Sequence, residues 1–295
     1  MPDPEAAVKT DPGAVRRAAR AHNYDWYVAA LLAPRHAKAD LITLAAFAGE
    51  VARIPSLVNE PMMGAVRLQW WRDVLAAEDG GRSGHPVADA MWSLMRRRDL
   101  PVGIAGQIID AQEIELQSEP PEDLEGLKAQ LAKSYGPRVS LAVRLLADEP
   151  SALRPGVAIA AGQAYGLARL VDELGRGSRT RQILVPQDWL ARAGLTVDDF
   201  SGPSGSVVSA RPVIDALRAE CRELMTALGP SLRADGGDRV PRNVLPALLP
   251  LALIEPYLGA LDLTKAEGAH VRHTDGPTEL QKSWRMFVAY WRGVI

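Results

Sequence analysis

Apolar residues recur at spacings of three and four through most of this chain: Ala37 to Leu57, Val66 to Leu75, Val102 to Leu116, Leu124 to Leu146 and Val157 to Leu174. A period of 3.6 residues puts such positions on one side of a helix, so these runs predict helices with a buried face. Strand signals are nearly absent. The best is Gln182 to Val185, a short run before Pro186 that predicts a β-ribbon. Pro120-Pro121 followed by Glu122 and Asp123 predicts a helix start, with proline in the first turn and acids near the positive end of the dipole. Gly80 to Gly84, Ser201 to Ser206 and Asp235 to Asp238 read as loops, and His270 to Thr278 as a polar connection into a last helix, Leu280 to Arg292. There is no internal repeat and no composition break. About ten helices then predict one all-α domain over residues 23–295, preceded by an N-terminal segment, residues 1–22.

The 295 residues are 47% apolar and 24% charged, ordinary values that support a sizeable core. The net charge of -2 gives no basic field for nucleic acid. Cys221 is the single cysteine, which excludes an intramolecular disulfide framework and a cysteine-based zinc site. The first residues lack the apolar core of a secretory signal, and Asp3, Glu5 and Asp11 among the arginines disfavour a transit peptide. The most apolar run, Val244 to Ala260, is interrupted by Pro246, Pro250, Glu255 and Pro256. It is too short and broken to span a bilayer and reads as a buried helix or helix pair. The expected location is cytoplasmic, with a peripheral contact to the inner membrane left open.

Three stretches can carry chemistry. In the first, Glu50 and Arg53 share a helix face, and Arg67, Gln69, Trp70, Trp71, Arg72 and Asp73 follow. It reads either as a salt-bridged helix pair with tryptophans in the core or as a polar pocket mouth lined by Glu50, Arg53, Gln69 and Arg72. In the second, Asp110 and Glu113 lie one turn apart and can share a hard cation such as magnesium or form a solvated face. In the third, Asp172 and Glu173 close a helix, Gly175 and Gly177 loosen the chain, and Arg176, Arg179 and Arg181 follow. Arginines beside free backbone donors can hold a phosphate or diphosphate, or pair with acids elsewhere. The five histidines show no ligand spacing on a predicted helix; His270 and His273 fall in a predicted loop. There is no P-loop, GxSxG or GxGxxG.

In this order the stretches resemble the squalene/phytoene synthase family, from about Tyr24 to about Trp291. Leu44-Ala45-Ala46-Phe47 resembles the entry into the family's first aspartate motif, and Arg67-Leu68-Gln69-Trp70-Trp71-Arg72-Asp73 the helix after it. Ile108-Ile109-Asp110 with Glu113 and Leu116 resembles the segment before the flap. Gly162 to Glu173, then Ile183-Leu184-Val185-Pro186, resembles the second aspartate helix and the ribbon behind it. The resemblance implies an isoprenoid synthase fold, with helices around a central cavity. It also implies head-to-head joining of two prenyl diphosphates by magnesium ions held on two aspartate-rich helices. Ionising an allylic diphosphate requires neutralising the leaving group, which such ions do.

The chain departs from that pattern at the acids. The resemblance sets the first acidic cluster at Ala52, Arg53 and Ser56, where no carboxylate stands and Arg53 repels a metal. It sets the second motif near Gly166, Arg169, Glu173 and Gly177, of which only Glu173, with Asp172 beside it, is acidic. The family's flap tyrosine falls near Gln130, with Tyr135 close by. One branch of the family shows this kind of loss: the phytoene-synthase-like assembly factor of respiratory complex I and its bacterial relatives. Ala46-Phe47, Glu50, Asn59-Glu60, Gly64, Arg67, Gln69-Trp70 and Gly177-Ser178-Arg179 are similar to that branch.

Three functional readings follow. The first is a non-catalytic accessory protein that needs no cofactor, meets a respiratory-complex subunit and holds an isoprenoid or lipid in the old cavity. The second is an active prenyltransferase with Asp110, Glu113, Asp172 and Glu173 as magnesium ligands and Tyr135 as proton shuttle. The third is a metal-free anion site in which Arg53, Arg169 and Arg179, with Arg181 nearby, converge.

Overall fold

A computed structural model describes residues 11–78, 83–117, 120–147, 153–154, 156–175, 184–196, 211–233, 238–260 and 276–295. They pack as two compact units, Met1–Leu116 and Gln117–Ile295.

The first unit contains α1 (Pro12–His22), α2 (Tyr24–Leu31), α3 (Arg35–Ala52), α4 (Ile54–Leu57), α5 (Pro61–Ala76), α6 (Pro86–Arg97) and α7 (Val102–Gln117, whose last residue belongs to the second unit). Helix α3 is its axis. Ala37, Leu41, Leu44, Ala45, Ala46, Phe47, Ala48 and Val51 are all buried, and α1, α2 and α6 pack against it. Small residues allow this. A side chain at Gly49 would meet His22 Cβ at 3.0 Å, and the Asn23 amide donates to Ala45 O at 3.2 Å. Asp40 is buried in the same helix and is held from the end of α6 by Arg97 and by Arg98 Nε at 2.7 Å. A carboxylate so buried requires such partners. Phe47 meets Trp71 of α5 edge-on, with centroids 5.4 Å apart.

The sequence predicts one helix from Ala37 to Leu57, but the chain breaks at Arg53, which caps α3. Pro55 supplies the reason. It has no N–H to extend the helical ladder, and α4 starts around it as a separate turn. Helix α5 starts earlier than its periodicity suggests, with Pro61 at its first position.

The second unit contains α8 (Leu124–Leu146), α9 (Val157–Gly175), α10 (Gln187–Ala193), α11 (Arg211–Leu232), α12 (Leu245–Leu248), a 3₁₀ turn (Leu249–Leu253), α13 (Ile254–Gly259) and α14 (Glu279–Arg292). Its centre is the crossing of α8 and α9. A side chain at Gly162 would stand 2.5 Å from Gly136 N and 2.8 Å from Tyr135 C, so the two backbones touch there. One turn on, Gly166 leaves the notch into which Tyr135 and Leu131 pack, at 2.8 and 2.9 Å from where its side chain would begin. Helix α11 lies on the other flank of α9, where Cys221 Sγ donates to Ala164 O at 3.2 Å. The run Val244–Ala260 is buried as expected, but its prolines divide it into two short helices joined by the 3₁₀ turn.

Two expectations need correction. The β-ribbon near residues 182–185 is not borne out. Residues 182 and 183 lie outside the described residues, and Leu184 and Val185 belong to no strand. Val185 is fully buried, and the amides that follow bond to a loop, Gln187 N to Pro121 O at 2.9 Å and Asp188 N to Glu122 O at 3.1 Å. The run is apolar because it is packed, not because it is paired. The prolines expected to open a helix at Pro120-Pro121 also lie upstream of it. Asp123 is the cap, accepting from Gly126 N at 2.8 Å.

Two measurements test this packing. Gly162→Ala is expected to destabilise the protein by about 2 kcal/mol or more through overpacking. Gly106→Ala, in a helix with nothing within 4 Å of the new side chain, is expected to stabilise it by about 0.5 kcal/mol. Urea denaturation midpoints of the two variants check both. Burial, followed by the charge of Glu255, pushes the Cys221 thiol up to about 12. Labelling by a disulfide reagent at mildly alkaline pH is therefore expected to be at least ~100-fold slower in the folded protein than in urea.

Candidate functional site

The candidate side chains gather around arginines. In the first unit, Arg72 projects from α5 towards α7. Its Nη2 donates to Asp110 Oδ1 at 2.8 Å and also to Glu113 Oε2, and its Nε lies 3.3 Å from Asp110 Oδ1. Asp110 and Glu113 stand one turn apart on α7, so one planar guanidinium reaches both. Burial pulls the Arg72 pKa down, but the hydrogen bonds and charges of the two carboxylates outweigh it and leave it raised. Gly64 sets the α5–α7 spacing. A side chain there would run into Leu116, at 2.4 Å from Cδ2.

Glu50, Arg53 and Gln69 engage partners other than Arg72. Arg53 Nη1 lies 2.8 Å from His22 Nε2, and Glu50 lies 3.6 Å from His22 and 3.8 Å from Arg53. This trio closes the junction of α1 and α3. Gln69 donates to Asp73 Oδ1 at 2.7 Å along its own helix. The Ser56 hydroxyl donates to Arg53 O at 2.8 Å. Trp70 and Trp71 pack edge-on against each other and against His85, at centroid distances of 5.3 to 5.7 Å.

In the second unit, Arg169 of α9 pairs with Asp172 at 3.2 Å and Glu173 at 3.1 Å on the next turn. Asp172 is 2% exposed. The same guanidinium lies 5.1 Å from the ring centroid of buried Tyr257, which Lys282 Nζ approaches at 5.0 Å. Tyr135, the proton shuttle of the active-enzyme reading, packs at the α8–α9 crossing. It meets Tyr165 edge-on at 5.4 Å, with the Arg138 guanidinium 4.9 Å from its ring centroid. Arg179 and Arg181 lie outside the described residues.

Sequence reasoning missed the roles of His22 with Glu50 and Arg53, and of Asp40 with Arg97 and Arg98. Neither left a local signal, because the partners stand 31 and 57 or 58 positions apart.

With this geometry in view, comparison with known proteins places the chain. The sequence profile of the family described as squalene/phytoene synthase matches residues 19–285. The chain belongs to the squalene/phytoene synthase family. It is 23% identical, over 92% of its length and 80% of the relative's, to NADH dehydrogenase (ubiquinone) complex I, assembly factor 6, of Rattus norvegicus. It is 25% identical to phytoene synthase of Cereibacter sphaeroides, over 74% of this chain and 61% of that protein. Its fold is that of a dehydrosqualene synthase, with a TM-score of 0.72 at 13% identity over 95% of both chains. A squalene synthase from Alicyclobacillus acidocaldarius gives a TM-score of 0.61 at 20% identity, over 85% of this chain and 92% of that one. The all-α prenyl synthase fold expected from the sequence is thereby established.

Prenyl synthase chemistry implies magnesium, and the described residues can be tested for fit. Magnesium takes hard oxygen ligands in near-octahedral geometry, commonly a carboxylate or two with waters and substrate phosphates. Within each unit the acid pair is already bridged by a guanidinium, and at the position assigned to the first acidic cluster stands Arg53, bonded to His22. Among the described residues no three or more His, Cys, Asp or Glu side chains group so as to hold a metal ion. These residues do not fit a magnesium cluster.

The two arginines are equally exposed, but their carboxylate partners differ in burial, and so does the expected cost of removing each arginine. Arg72→Ala frees exposed carboxylates and is expected to cost about 1 kcal/mol or less. Arg169→Ala removes a cation beside the buried Asp172 and is expected to cost roughly 3 kcal/mol. Urea unfolding of the two variants measures the difference.

Proposed function

We propose that this protein is a non-catalytic member of the squalene/phytoene synthase family that acts as an accessory factor in assembling a respiratory complex, with an isoprenoid or other lipid as its ligand. One observation carries the reading. The carboxylates available for metal binding are bound to Arg72 and Arg169, and an arginine stands where the first acidic cluster is expected. Ionisation of an allylic diphosphate needs a cation that engages the leaving group. A guanidinium committed to two carboxylates has little charge left to offer, and the carboxylates have little left for a metal.

The similarity to complex I assembly factor 6 across 92% of the chain supports the accessory role. The partner would then be a subunit of a respiratory complex. No described helix is long and apolar enough to cross a membrane.

The alternative, an active prenyltransferase, is favoured by the similarity to phytoene synthase. Incubation of the purified protein with radiolabelled farnesyl or geranylgeranyl diphosphate and magnesium separates the two. The expected outcome is no condensed product and no diphosphate release above the buffer rate, with lipid found by mass spectrometry of the purified protein. Magnesium-dependent turnover that disappears in Asp172→Asn would establish the alternative.

A further inference from the structure

The last helix, α14, carries its apolar residues on both sides. Met286 and Ala289 are buried against the body of the second unit, where α14 packs on the 3₁₀ turn. Leu280, Trp284, Phe287 and Trp291 are 80, 65, 47 and 74% exposed. At 100° per residue these four fall within an arc of about 60°, so they form one stripe along the solvent side. Trp284 and Phe287 stack, with centroids 6.0 Å apart and planes inclined by 29°. Val294, 40% exposed, extends the apolar surface past the helix end.

The charges beside the stripe are unequal. Arg239, Arg242 and Arg292 are exposed at the C-terminal end of the helix. Arg242 Nη2 donates to Trp291 O at 3.5 Å, and Val240 N donates to Gly293 O at 2.9 Å, which holds the arginine-bearing segment against the helix end. Arg242 also lies over the Tyr290 ring, 5.8 Å from its centroid. The described acids nearby include Asp238, 3.6 Å from Arg233, Glu279 at the opposite end of the helix, and Glu255, which faces Arg285 of the same helix and pairs with Arg222. Lys282 is turned inward to Tyr257.

We infer that this face of α14 docks on the surface of an anionic lipid bilayer. Tryptophan and tyrosine favour the depth where acyl chains meet headgroups, because one end of each ring system is apolar and the other hydrogen-bonds. Leu280 and Phe287 enter the acyl region beside them. Arg239, Arg242 and Arg292 reach lipid phosphates, which a second copy of this chain, carrying the same cations, does not supply. The helix is held in place by its buried side and by the capping box of Thr278 and Gln281, so it lies along the membrane plane without having to fold there. The exposed side of α14 and the arginines at its end stand apart from the question of catalysis.

The test uses the whole chain and vesicles of phosphatidylcholine with or without phosphatidylglycerol. The protein is expected to co-sediment with the anionic vesicles and to release at high salt. Binding to pure phosphatidylcholine is expected to be at least about tenfold weaker. The double variant Trp284→Ser with Trp291→Ser is expected to lose at least about tenfold in affinity with an unchanged melting temperature, because both rings are exposed. Arg242→Glu with Arg292→Glu, which leaves the apolar stripe intact, is expected to lose the preference for anionic lipid. No binding by the unmodified chain, or binding that both variants retain, overturns the inference. So does a dimer in sedimentation velocity that the tryptophan variant dissociates without any effect on vesicles, since the stripe would then be a contact between copies.

Discussion

Arg72 reaches Asp110 and Glu113 from a neighbouring helix, and Arg169 reaches Asp172 and Glu173 from the preceding turn of its own. Paired carboxylates repel unless a cation lies between them. A divalent ion does this while keeping coordination positions open for a substrate's phosphates. A guanidinium does it by spending its planar donors on the carboxylates themselves. The helices are held in either case, but only the first arrangement leaves charge available for a leaving group. In this chain the acids link α5 to α7 and pair along α9.

Close packing also sets the α8–α9 crossing. Gly162 and Gly136 bring the backbones together, and Gly166 admits the ring of Tyr135. A larger polar side chain at Gly166 would drive Tyr135 and Leu131 out of the notch. Tyr135 is therefore fixed between Tyr165 and Arg138, a setting suited to spacing helices. A shared fold does not by itself assign a function, which resides in the site grafted on it.

Helix type and order were legible because burial imposes a 3.6-residue period on α3, α7, α8 and α9 alike. The family could be read from the same stretches. That Ala52, Arg53 and Ser56, the positions the resemblance assigns to the first cluster, are not carboxylates is plain in the sequence. Which side chains the arginines meet is not. Arg72 meets acids 38 and 41 positions away, and His22 meets Arg53 across 31, and no local pattern encodes such pairs. The ribbon misled for a related reason. A short apolar run has the same appearance whether it is paired in a sheet or buried as coil, and Val185 is buried coil. The exposed stripe of α14 was hidden in the periodicity, because an apolar residue in sequence does not declare whether it faces the core.

Manganese titration followed by electron paramagnetic resonance, in the presence of inorganic diphosphate, bears most directly on the claim that guanidinium groups have taken the cations' places. The account predicts that the free-ion signal of manganese with diphosphate is unchanged by the protein at concentrations where a prenyl synthase site would be filled. Tight manganese binding that is lost when Asp110 and Glu113, or Asp172 and Glu173, are changed to their amides would contradict it.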